Sequence, residues 1–171
     1  MAGLVTKRAA NFITFLNIIF GSTAILYTIN GNYKLAAILI LAAVVMDGLD
    51  GKVARRLHTS SDLGRELDSL CDIVSFGVAP AVLLYSQVLA SNYGFMALAA
   101  FLIFIICGAY RLARFNVLNI SEYFLGLPIT IAGGLLALLS LLAAYLHPLI
   151  ILSLVLALSL FMISSIRLPK I

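Results

Sequence analysis

Long apolar runs alternate along this chain with short clusters of Asn, Gly, Ser and Pro. The runs lie at about 11-30, 34-55, 67-90, 94-117, 128-146 and 148-166, with breaks such as Asn30-Gly31-Asn32, Ser91-Asn92-Tyr93-Gly94 and His147-Pro148. A helix needs about 20 apolar residues to cross the hydrocarbon core of a bilayer. The pattern therefore predicts an all-α integral membrane protein with six transmembrane helices. Met1 to Ala10 mixes apolar and basic residues and is expected to form a short N-terminal interfacial segment. The longest connections, near Arg56 to Arg65 and Asn116 to Leu127, leave no room for a soluble domain, so residues 1–171 are expected to form a single membrane domain.

Composition strengthens this reading. Apolar residues make up 63% of the chain and charged residues 11%, with a mean hydropathy of +1.15, whereas a soluble domain carries about 25% charged residues. Lys7 and Arg8 precede a run of full bilayer width, so the first span is expected to be retained rather than cleaved as a signal peptide. Lys7, Arg8, Lys52, Arg55, Arg56, Arg65, Arg111, Arg114, Arg167 and Lys170 fall on one side of the predicted topology, and only Lys34 falls on the other. That bias places both termini in the cytoplasm and predicts a multi-pass protein of the cell membrane. The net charge of +4 is split by membrane spans and forms no continuous basic stripe, which argues against nucleic acid and for an anionic lipid surface. Cys71 and Cys107 lie in apolar runs and are assigned to packing.

The acidic residues change the picture from membrane anchor to chemistry. Six of the seven lie between Asp47 and Asp72, and Asp47, Asp50, Asp68 and Asp72 sit within or beside predicted spans. An ionised aspartate costs about 2.5 to 3.5 kcal/mol at the centre of an inserted helix, so something must offset four of them. Asp47 and Asp50 are three apart, Asp68 and Asp72 four apart, and both spacings put side chains on one helical face. The short connection makes their helices antiparallel neighbours, so the two pairs can face each other as a cage for divalent cations, which suit hard carboxylate oxygens. Mg²⁺, Mn²⁺ and Ca²⁺ all suit such oxygens, and two ions, Mg²⁺ or Mn²⁺, are expected. Gly48 and Gly51 remove side chains where a ligand could approach, and Arg55 lies one turn further on.

The run from Asp47 to Asp72, DGLDGKVARRLHTSSDLGRELDSLCD, resembles the CDP-alcohol phosphatidyltransferase family: it matches D-x-x-D-G-x-x-A-R, eight residues, then G-x-x-x-D-x-x-x-D at Asp47, Asp50, Gly51, Ala54, Arg55, Gly64, Asp68 and Asp72. The resemblance implies six-helix membrane enzymes, usually homodimers, with the active site on the cytoplasmic side. It also implies Asp47, Asp50 and Asp68 as metal ligands, with Asp72 as general base and ligand of the second ion. Gly51, Ala54, Arg55 and Gly64 correspond to the part that holds the CDP-lipid, together with a loop hydroxyl, for which Ser61 is best placed and Thr59 and Ser60 are substitutes. Asn11 and Thr14 match the family's P-N-x-x-T at the first helix, where Ala10 replaces the proline.

Three further stretches are similar to the phosphatidylserine synthase branch of Gram-positive and archaeal type: SFGVAPA from Ser75 to Ala81, RLARFN from Arg111 to Asn116, and FLGLPIT from Phe124 to Thr130. That likeness implies transfer of the phosphatidyl group from CDP-diacylglycerol, or an archaeal ether-lipid analogue, to L-serine with release of CMP. Free serine is a zwitterion and needs a cation for its carboxylate. Arg111 and Arg114 are candidates, with Asn116, Ser75 and Glu122 as further polar contacts. His58 is expected to be solvated in the loop and His147 to be a loop residue on the opposite side. Acceptors such as glycerol 3-phosphate, inositol phosphate or inositol are the near alternative, and a cation channel or transporter is the alternative of another class, since intramembrane aspartates also mark ion paths.

Overall fold

The computed structural model describes residues 2–57, 62–118 and 123–169, and the side chains of 14–49, 63–117 and 126–166. Helix α1 (Ala2–Ile29) is followed by α2 (Tyr33–Leu57), a reversal closed by Gly31 at φ 75°. The third rod is helical from Asp62 to Tyr93 but not uniformly so: α3 (Asp62–Asp72), a π-helical segment (Ile73–Val78), α4 (Ala79–Leu84), a second π segment (Tyr85–Leu89) and α5 (Ala90–Tyr93). Gly94, at φ 47°, ends it. Then come α6 (Phe95–Leu118), α7 (Ile129–Leu142) with a final 3₁₀ turn (Ala143–Tyr145), and α8 (Pro148–Ile163).

The six expected spans are thus six helical rods, with shifted ends. The N-terminal segment runs into the first span without a break: α1 is continuous from Ala2. Its sequence holds no proline, because Ala10 stands where the family has one, and an alanine leaves both the backbone hydrogen bond and the helix intact. His147 is more than a loop residue, since its Nδ1 accepts from Leu149 N at 3.3 Å and caps α8. One pairing was not expected at all. Strands β1 (Tyr123–Leu125) and β2 (Arg167–Pro169) form an antiparallel ribbon, Tyr123 opposite Pro169 and Leu125 opposite Arg167. Gly126 N and Leu127 N donate to the carbonyls of Ile166 and Phe161 and continue the tie. The fold remains all-α, with this small clasp joining the α6–α7 connection to the end of α8.

Packing depends on small residues. Ala24, Ala36, Ala37 and Ala43 are buried, as are Phe76, Leu83, Phe104, Ile129, Leu136 and Met162. Helix α1 lies along α2, α7 against α2 and α4, and α8 against α6. Small side chains permit such close helix approach where lipid supplies no hydrophobic drive. Among the described residues many large apolar side chains face outward, Leu26, Phe95, Met96, Ile106, Leu160 and Phe161 among them, as suits a surface that meets lipid. Among the described residues Leu63–Tyr93 and Phe95–Val117 are long and apolar enough to cross a membrane alone, and Thr14–Ile29, Ile129–Tyr145 and Pro148–Ile163 are shorter apolar helices.

Candidate active site

Helix α1 packs against both α2 and α3, and α2 meets the third rod at α4 and the first π segment, an arrangement that brings predicted carboxylates of α2 and α3 together. Asp47 comes from the second half of α2, and Asp68 and Asp72 lie one turn apart on α3. One oxygen from each of the three lies within 4.8 Å of the others. Some point is then no more than about 2.8 Å (4.8 Å divided by √3) from all three oxygens, close to the roughly 2.0–2.6 Å of Mg²⁺–oxygen and Ca²⁺–oxygen bonds. The donor set and its spacing fit a hard divalent cation, whose charge would offset the mutual repulsion of the carboxylates. Asp50 belongs to the same helix as Asp47, but its side chain lies outside the described residues.

Two further rods complete the walls. Arg111 on α6 is 6% exposed and lies within Coulombic range of Asp72 and Asp47. Its guanidinium sits 5.9 Å from the Phe115 ring centroid, and its Nε has no hydrogen-bond partner among the described residues. From α1, Asn17 donates through Nδ2 to Asp72 Oδ1 at 3.1 Å. Asn17 was not singled out by sequence. The available signal was a lone amide in the apolar run Phe15–Phe20, one turn after Thr14.

A model of the CDP-alcohol phosphatidyltransferase family matches residues 7–164. The chain belongs to this family. Among curated members of the CDP-alcohol phosphatidyltransferases, the CDP-diacylglycerol–serine O-phosphatidyltransferase of Methanocaldococcus jannaschii is 46% identical over 163 residues, covering 94% of this chain and 73% of the relative. The enzyme of the same name from Bacillus subtilis is 39% identical over 158 residues, covering 92% and 87%. The archaetidylserine synthase of Methanothermobacter thermautotrophicus is 38% identical over 164 residues, covering 94% and 69%.

The remaining family positions divide by location. Thr14 is buried on the same face of α1 as Asn17, and Gly64 precedes Asp68 by one turn on α3. Asn11 in α1 and Gly51, Ala54 and Arg55 in α2 have helical backbones, with side chains outside the described residues. Ser61, with His58, Thr59, Ser60 and Glu122, lies outside the described residues.

Three of the residues expected at a serine pocket are engaged elsewhere. Ser75 is 0% exposed and its Oγ donates to the Asn17 carbonyl of α1 at 3.0 Å. Arg114 donates to the carbonyls of Ile163 and Ser164 at 3.2 and 3.1 Å, clamping the carboxyl end of α8. Asn116 donates to Glu66 Oε1 at 3.3 Å and to Ser69 Oγ at 3.1 Å, fastening α6 to α3 beside Asp68. Arg111 lies within Coulombic range of Asp72 and Asp47.

Proposed function

We propose that this chain is a divalent-metal-dependent CDP-diacylglycerol–serine O-phosphatidyltransferase, acting on the diacyl lipid or its archaeal ether analogue. The observation that carries the reaction class is the convergence of Asp47, Asp68 and Asp72 at the family motif. The choice of serine rests on relatives at 38 to 46% identity that carry serine transferase names. An enzyme of this class leaves no role for the channel or transporter reading.

The serine hydroxyl oxygen attacks the phosphorus that bears the diacylglycerol, a new P–O bond forms, and the bond to the CMP phosphate breaks with its electron pair leaving on CMP. Asp72 accepts the hydroxyl proton. Divalent ions held by Asp47, Asp50, Asp68 and Asp72, two of them and Mg²⁺ or Mn²⁺ by donor chemistry, would supply neutralisation of the pyrophosphate and the departing CMP. Arg111 takes the serine carboxylate or the lipid phosphate on its fork of N–H donors. Arg114 and Asn116 hold the walls around it. Asn11, Thr14, Gly51, Ala54, Arg55, Ser61 and Gly64 receive the CDP-lipid. The protein works as a multi-pass homodimer of the cell membrane, with site and termini on the cytoplasmic side, an orientation supported by the basic residues gathered at that end.

The deciding experiment is CMP release by the purified protein with CDP-diacylglycerol and Mg²⁺ or Mn²⁺, offering serine, glycerol 3-phosphate, inositol or inositol phosphate in turn. Release with serine that EDTA abolishes is expected. Turnover with glycerol 3-phosphate and none with serine would refute the acceptor, and undiminished turnover after chelation would refute the metal.

A further inference from the structure

Asn17 is a polar residue in an apolar stretch of α1, 1% exposed, and it makes two contacts to the same short segment of the third rod. Its Nδ2 donates to Asp72 Oδ1 at 3.1 Å, and its backbone carbonyl accepts from Ser75 Oγ at 3.0 Å. Between these partners the helix changes type, because the π-helical segment begins at Ile73. A π turn holds more residues than an α turn and so rotates the downstream part of the rod relative to the upstream part. Asp72 is the last α-helical residue before that change, and Asn17 ties both sides of the junction to α1. Gly21, one turn beyond Asn17, makes the approach possible: a Cβ there would run into Ser75.

Packing alone does not account for an amide here. Asn17 Oδ1 is buried with no hydrogen-bond partner among the described residues, which is a cost to folding that a leucine of similar size would avoid. The amide supplies direction: with Nδ2 facing the carboxylate, Asp72 cannot rotate freely about its side-chain bonds. We propose that Asn17 is a positioning residue, holding the Asp72 carboxylate where it meets the acceptor hydroxyl; this rests on the proton-accepting role proposed for Asp72.

The test uses the full chain in detergent with Mn²⁺, CDP-diacylglycerol and saturating acceptor. Asn17→Leu should lower kcat by about 10- to 100-fold, the range seen when a group that orients a ligating side chain is removed. KM for both substrates should change less than about threefold, and the thermal unfolding midpoint should stay at or above that of the unaltered protein. In an Asp72→Asn background the same Asn17→Leu change should cost less than about twofold, because a residue acting through Asp72 has nothing left to position. Asn17→Ala repeats both measurements with no added bulk. Unchanged kcat in Asn17→Leu, a melting point that falls together with kcat, or a full additive loss in the Asp72→Asn background would each overturn the proposal. Full kcat in Asp72→Asn alone would instead refute Asp72 as the base, and the proposal with it. If wild type turns over another alcohol and not serine, the acceptor assignment fails while the cycle, run with that alcohol, still decides the role of Asn17.

Discussion

Asp72 is 7% exposed, yet it is joined by Asp47 and Asp68 on one side and Asn17 on another. Asp72 is proposed as base as well as ion ligand, whereas Asp47 and Asp68, both half-buried, are proposed as ion ligands alone. Replacing Asp72 by Asn should therefore leave CDP-lipid binding within about threefold and lower kcat by roughly 10² to 10⁴, the usual contribution of a positioned base. Asp47→Asn and Asp68→Asn should lose Mn²⁺ affinity as well, read by titration of the ion without substrate. Equal Mn²⁺ affinity in all three variants and wild type would contradict this division. At Arg111 the expected signature is different: Arg111→Lys keeps the charge but loses the planar fork, so KM should rise by about tenfold or more, for serine where the fork holds its carboxylate and for CDP-lipid where it holds the phosphate. The aspartates were legible in the sequence because their spacing has few meanings in a membrane span. Ser75, Arg114 and Asn116 were not, because a sequence shows that a residue is polar without showing which neighbour its polar atoms meet, and all three meet other helices.

Among elements, the third rod is the one whose geometry departs most from its sequence pattern. Hydropathy located it at about 67-90, but nothing in an apolar run distinguishes a π turn from an α turn, and the five parts of the rod read as one helix. What holds the first π segment is contact on two sides. Gly21 of α1 touches Ser75, and Gly133 of α7 lies against the Phe76 backbone so closely that a Cβ would collide with main-chain atoms, which cannot rotate away. Gly133→Ala should thus separate α7 from the rod and destabilise the fold by about 1–3 kcal/mol, lowering the thermal unfolding midpoint. Gly48 makes a matched control. Sequence alone suggested a close approach there, yet no described atom lies within 4 Å of a Cβ built on it. Gly48→Ala should stabilise α2 by up to about 1 kcal/mol through helix propensity. A fall in the Gly48→Ala midpoint equal to that of Gly133→Ala would show that Gly48 is as closely packed as Gly133, and a rise in both would show that propensity, not packing, governs both positions. The β1–β2 clasp was invisible for a related reason: its three pairs join segments more than 40 residues apart, and three-residue strands carry no readable alternation.

For the whole molecule, the end of the bundle that holds the site is also the end where chain charge concentrates. Asp47 lies toward the end of α2, Asp68 within α3 and Arg111 toward the end of α6, so these helices converge at the face where α1 begins and α8 finishes. Ten of the eleven basic residues fall on that side of the predicted topology, with Lys34 alone on the other. Moving that many cations across a bilayer is opposed far more strongly than moving one, and loop Lys/Arg bias sets orientation in multi-pass proteins. The orientation can be read with a membrane-impermeant maleimide, because the native thiols interfere little: Cys71 and Cys107 are both buried. Ser91, exposed in α5 just before α6 begins, and Val117, exposed near the end of α6, flank the membrane-length helix Phe95–Val117 at its two ends. In intact cells Ser91→Cys should react at once, and Val117→Cys only after the membrane is permeabilised. The reverse pattern would put the carboxylates outside, away from a cytoplasmic supply of nucleotide-activated lipid, and would remove the cytoplasmic assignment while leaving the chemistry of the three aspartates as it stands.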